Sequence, residues 1–221
     1  MRSRFSLVAL PLFLAFVAAC GDDEPADGPD AGVDGSGDPG ADPTPPENPD
    51  CDPLTPIECS LPWPSNLYLA PDAARETGYT LTFGPTTLPA NYKNVHVEPE
   101  PYRRMDGYGV STSIVAHFAN LDTSDMATDA NIAPSLADDA PVLLFADTPE
   151  GLVRWPYWVE LDAWETNPAL QVVYVRPAAT LTEATRYVVA FRDLATTDGT
   201  PIAPTADFAA LRDGRAANYP W

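Results

Sequence analysis

The sequence predicts an all-β fold, a β-sandwich carried at the end of a disordered acidic tether. Three observations predict it. From Cys51 onward short β-rich runs alternate with Pro, Gly, Asn and Asp, and helical patterning is scarce. Between Gly21 and Asp50 there are ten acids, seven prolines and six glycines, with no Lys or Arg. Before Cys20 the chain is almost wholly apolar. These shifts divide it into a leader (1–19), a tether (20–50) and one domain (51–221).

The leader opens with Arg2 and Arg4 and continues as a 15-residue apolar run from Phe5 to Ala19. A bilayer span needs roughly 20 such residues, so the run is too short to cross comfortably. A charged start, an apolar centre and small residues at the exit are the layout of a secretory signal peptide. Pro11 disfavours a permanent straight helix there.

The tether cannot bury enough apolar surface to offset the entropy of ordering, so the expectation is disorder. Its like charges repel and its prolines stiffen it. In polyproline II form it reaches about 3.1 Å per residue, enough to hold a domain several nanometres from a membrane. "DGPDAGVDGSGDPGAD" is rich in Asp-Gly but follows neither the nonapeptide calcium repeat nor the calcium-loop spacing. A spacer is therefore expected, with no metal.

The chain has 12 basic and 32 acidic residues, a formal net charge of -20. Ten acids lie in the tether and two bases in the leader, leaving 22 acids against ten bases from Cys51 on, about -12. That balance argues against nucleic acid or an anionic lipid surface as a partner of the folded part.

The expected strands are "YTLTF" (79–83), "TSIVAHF" (112–118), "PVLLFAD" (141–147), "LVRWPYWVEL" (152–161), "ALQVVYVRP" (169–177) and "TRYVVAFRDL" (185–194). In the last, Tyr187, Val189 and Phe191 share one face, and Val188, Ala190 and Arg192 the other. "DTPEG" and "TTDGTP" read as turns. Pro156 removes a ladder donor, which places its strand at an edge or a bulge. Residues 120–140 read as a loop with a short helix. About 170 residues suffice for one substantial domain.

Two resemblances add to this reading. "FVAAC" (16–20) resembles the lipobox of bacterial lipoproteins, with Val17 where that family prefers Leu. The resemblance implies that the Cys20 thiol is diacylated with fatty chains such as palmitate. It also implies cleavage just before Cys20 and membrane attachment through the lipid. Gly21 rather than Asp after the cysteine implies outer-membrane residence. With Cys20 lipidated, Cys51 and Cys59 remain, expected as a disulfide in an oxidising compartment. Free thiols or a metal are the alternatives, although neither histidine is near the pair in sequence.

"VVYVRPAATLTEATRYVVAFRDLATTDGTPI" (172–202) resembles the back half of a bacterial Ig-like domain. Together with "CSLPWPSNLYL" (59–69), "DGYGVSTSIVAHF" (106–118) and "RWPYWVELDA" (154–163), it resembles the N-terminal region of bacterial surface lipoproteins. In that family the region precedes a lipase-like α/β-hydrolase domain, as in virulence-factor lipases. The chain stops at Trp221 without one, so the expectation is a truncated or split docking portion. A self-sufficient module for a surface glycan or protein is the alternative.

Catalysis and cofactors are not expected. The nearest approach to the G-x-S-x-G elbow is "GVSTS" (109–113), which lacks the second Gly. Ser111 and Ser113 read as the start of a strand, His117 as a structural residue and His96 as a turn residue. Arg103 and Arg104 read as a solvated turn. The candidate binding residues come from "RWPYWVELDAW". On one continuous strand Trp155, Tyr157, Val159 and Leu161 would face inward. Trp158 would lie outward beside Arg154, Glu160 and Asp162, with Trp164 following. Aromatics beside acids and Arg can stack on sugar rings.

Overall fold

The computed structural model describes residues 48–55 and 57–215. The leader, the lipidation at Cys20 and the expected disorder up to residue 47 lie outside the described residues. The regular elements of the described chain are mostly strands, in three antiparallel sheets, with one short α-helix. In chain order the elements are β1 (Leu69–Pro71), β2 (Tyr79–Leu81), β3 (Ile114–His117), β4 (Val142–Thr148), β5 (Gly151–Arg154), β6 (Tyr157–Leu161), β7 (Val172–Pro177), β8 (Arg186–Phe191) and α1 (Ala206–Arg212). Single 3-10 turns occupy Asn66–Tyr68, Glu100–Arg104 and Ala133–Leu136. The last of these is the short helix expected in 120–140.

β1 pairs with β2, while the two larger sheets run β3-β7-β6 and β5-β4-β8. The apolar alternation of their strands fixes which face is buried. Ile114 and Ala116 of β3, Val142 and Leu144 of β4, Tyr157 and Val159 of β6, and Val173 and Val175 of β7 belong to one cluster. Tyr187, Val189 and Phe191 of β8 pack against it, the face that alternation assigns to them. Both three-stranded sheets thus contribute to one core. Tyr157, only 1% exposed, joins them by donating its hydroxyl proton to the Val142 carbonyl.

Residues 152–161 depart from the single strand expected of them. β5 and β6 belong to different sheets, and the chain changes sheet between Trp155 and Pro156. The Trp155 amide still donates to Leu144 O at 2.7 Å, whereas the Pro156 carbonyl accepts from Ala178 N at 2.8 Å. Proline sits where the handover requires no donor. Both β5 and β6 are edge strands of their sheets.

A second cluster gathers Tyr68, Leu81, Phe83 and Leu88, with Trp63, Tyr102 and Tyr108 packed against it. Phe83 is its hub, with ring centroids 5.7 Å from Trp63, 5.3 Å from Tyr68 and 5.6 Å from Tyr102. Trp63 joins this cluster to β3 by a two-way backbone bridge to Val115, at 2.8 and 2.7 Å.

The folded part begins before Cys51. Asn48 Nδ2 donates to Thr86 Oγ1 at 2.8 Å. The Asp50 carboxylate accepts from the Thr86 amide at 3.1 Å and hydroxyl at 2.7 Å. A Cβ at residue 84 would collide with the Asp50 side chain, so a larger residue there would push that side chain aside. The charge and proline content of 48–50 match the tether, yet these residues are tied to Thr86, 36 to 38 positions away.

Cys51 and Cys59 form a disulfide. Closing so short a loop contributes about 2–3 kcal/mol in the chain-entropy picture. Beside it Asp52 is buried, accepting from Ser65 Oγ at 2.8 Å and Leu54 N at 3.0 Å. Burial raises its carboxyl above the ordinary value, and these two hydrogen bonds oppose the rise.

Helix α1 gave no sequence signal. Its seven residues are too few to display a period, and its buried face is only Ala209 and Ala210. Thr205 caps it by accepting from the Phe208 amide at 3.3 Å.

Candidate functional site

The connection between β6 and β7, residues 162–171, is held by local side-chain-to-backbone bonds and by two backbone bonds, Asp162 N to Val172 O and Leu170 N to Asn167 O, both 2.9 Å. Asp162 Oδ1 accepts from Trp164 N at 2.9 Å, Glu165 Oε1 from Asn167 N at 2.7 Å, and Asn167 Oδ1 from Ala169 N at 3.1 Å. Asp, Asn and, less often, Glu favour such local bonds to nearby amides. Gln171 Nε2 then donates to both Asp162 O and Glu165 O at 2.9 Å, drawing the loop closed. From outside, His117 Nε2 meets Ala169 O at 2.9 Å and the Asn120 amide donates to Pro168 O at 2.9 Å. Trp164 is held on this frame with 94% of its surface exposed.

Trp158 lies on β6 directly across from Arg176 of β7. Its indole N–H donates to Glu160 Oε1 at 3.2 Å, and Arg176 Nε donates to Glu160 Oε2 at 2.5 Å. Arg176 also reaches Ser113 Oγ at 2.9 Å and lies over the Tyr174 ring at 5.0 Å. Hydrogen bonding by Arg176, then by Trp158, holds the Glu160 carboxyl below its ordinary value. Trp158, Glu160, Tyr174, Arg176 and Ser113 therefore form one linked network on the β3-β7-β6 sheet.

Arg154 is not part of it. It belongs to β5, in the other sheet, where its guanidinium donates to Ser135 O at 2.7 Å and Ala137 O at 3.3 Å and covers Phe145. It ties β5 to the Ala133–Leu136 turn. The expected grouping of Trp158 with Arg154 fails because it assumed one continuous strand through Pro156. No hydrogen bond or aromatic contact among the described residues joins Trp158, Trp164 and Arg154. The arginine that does accompany Trp158, Arg176, is separated from it by the whole loop. Only strand register brings the two together.

The candidate catalytic groups are occupied elsewhere. Ser113 accepts from Arg176, and His117 faces a backbone carbonyl. Four residues of extended chain place them about 13 Å apart. Thr112 N donates to Gly109 O at 3.0 Å, so "GVSTS" forms an ordinary turn into β3. His96 Nδ1 meets Leu88 O at 2.6 Å in the turn expected for it. Arg103 and Arg104 lie in the Glu100–Arg104 3-10 turn, their carbonyls accepting from Arg75. Among the described residues no group of three or more His, Cys, Asp or Glu could hold a metal ion, and no helix is long and apolar enough to cross a membrane. An open depression lies at the Thr196–Thr200 turn, lined by Asn120, Thr196, Thr197, Asp198 and Thr200.

Comparison with protein-family models, curated proteins and solved structures finds no match for this chain.

Proposed function

We propose that this chain is an exported protein, lipid-anchored at Cys20, that displays a non-catalytic Ig-like β-sandwich as a docking domain at the outer membrane. Trp164 carries the docking reading. Leaving an indole in water forgoes roughly 2–3 kcal/mol of burial, and here the exposed ring sits on a loop pinned by hydrogen bonds. The sandwich reading draws on the single core shared by the two larger sheets and on the residues that resemble an Ig-like half. Two docking partners follow from the sequence: the lipase-like hydrolase domain that the resemblance implies, or a surface glycan or protein. An exposed aromatic anchor on a rigid loop favours the second.

Non-catalysis rests on Ser113 and His117. Ester hydrolysis needs a nucleophile, a base within hydrogen-bond reach and oxyanion donors assembled together. The purified protein is expected to show no turnover of short- or long-chain nitrophenyl esters above buffer. The variants S111A, S113A and H117A should not change that result. Turnover that any of these substitutions abolishes would overturn the proposal.

The anchor has its own test. Wild-type protein is expected in the detergent phase of a cloud-point separation, and Cys20→Ser in the aqueous phase with its leader uncut. Each buried CH₂ contributes about 0.8 kcal/mol, so two or more acyl chains give stable attachment. Wild-type protein that is soluble and unacylated would remove the lipoprotein reading.

A further inference from the structure

We infer that the 162–171 loop is a binding site for a neutral glycan, with Trp164 as the platform on which a sugar ring stacks. The inference rests on the docking reading and names its ligand class.

Three observations lead to a sugar. First, the platform is large, flat and 94% exposed, and the loop backbone that carries it is already tied down by Gln171, so a ligand does not bear the entropy of ordering that backbone. Second, the side chains of the loop supply the polar atoms that sugar hydroxyls require. Asp162, Glu165 and Asn167 each commit one side-chain oxygen to a loop amide, and Gln171 commits its nitrogen. Among the described residues, the second carboxylate oxygen of Asp162 and of Glu165, the Asn167 amide nitrogen and the Gln171 amide oxygen carry no protein hydrogen bond. Three acceptors and a donor are thus left on side chains whose other end is pinned. Few well-placed polar groups around an apolar surface are what orient a small ligand.

Third, charge narrows the class by disfavouring anions. Asp162 and Glu165 flank Trp164, no Lys or Arg lies between Arg154 and Arg176, and the folded part carries about -12. Polyanionic glycans and anionic lipid are repelled by such a surface. A neutral ring avoids that cost and can donate its hydroxyl protons to the carboxylates.

The test uses the full-length protein in detergent micelles, with insoluble cellulose and chitin as probes and the matching soluble hexasaccharides as competitors. Retention on at least one polymer is expected, undiminished at high salt and reversed by its hexasaccharide. Trp164→Ala should weaken it about tenfold or more, equivalent to about 1.4 kcal/mol, at an unchanged melting temperature. Trp164→Tyr should keep part of the affinity, and Tyr92→Ala, an equally exposed aromatic at 91%, should keep all of it. Absence of retention on both polymers would overturn the inference, as would retention that Trp164→Ala leaves intact. Binding to polygalacturonate in place of the neutral polymers would overturn it too, and would leave the docking reading standing with a different ligand. Ester turnover dependent on Ser113 or His117 would instead sink the non-catalytic reading itself.

Discussion

Phe83→Ala is expected to lower the stability of the domain by about 3–5 kcal/mol, the range for removing a buried aromatic ring. Phe83 is 3% exposed and touches three other aromatic rings, so its deletion leaves a cavity walled by rigid side chains that collapse poorly. The hydroxyls of Tyr68 and Tyr108 add to that rigidity, donating to Cys59 O at 2.8 Å and Ser65 O at 2.7 Å. Equilibrium denaturation measures the loss. Hydrogen exchange should show it concentrated in residues 57–108, where the cluster lies, with β4 and β7 the last to exchange. A cost below about 1 kcal/mol would mean that this cluster does not support the fold.

Leu144→Ala is expected to cost about 2–5 kcal/mol, with hydrogen-exchange protection lost in both larger sheets together. Leu144 is wholly buried in the centre of β4, and β4 is the middle strand of its sheet, paired with β5 on one side and β8 on the other. Its side chain belongs to the cluster that includes Val175 of β7 in the other sheet. A neighbouring position provides the control. Leu143 points the other way and is only partly buried, so Leu143→Ala should cost markedly less. Equal losses at the two positions, or exchange rising in one sheet alone, would contradict a core shared by both sheets.

How much of this was legible in the residues depended on whether the signal was local. The strands 112–118, 141–147, 169–177 and 185–194 are present within a few residues of their expected ends. Period-two alternation is a property of neighbours and survives any tertiary arrangement. β1 was not legible: three residues ending in Pro71 have no alternation to read. The division of 152–161 into two strands was half legible. Pro156 marked an edge or a bulge, but a proline does not say to which sheet the chain goes next.

The site followed the same rule. The Cys51–Cys59 pair followed once the lipobox resemblance set Cys20 aside, and the disulfide is formed. Arg154 was grouped with Trp158 on the assumption of an unbroken strand, and it lies in the other sheet. Ser113 and Arg176, 63 positions apart, are hydrogen-bonded to each other, and no local pattern could have paired them.

Which faces of the strands are apolar and where the turns fall could be read from the residues alone. Each of these is written in the chemistry of residues a few positions apart. Tertiary structure alone decided that β5 and β6 part company at Pro156 and that Arg176, not Arg154, stands beside Trp158. It also decided that Asn48 and Asp50 pack against Thr86 and that Trp164 is held out in water. These depend on strand pairing and on loop closure by bonds such as His117 to Ala169 O, which span 52 positions. Pairing partners are selected by the free energy of burying one common core, a property of the whole assembled chain.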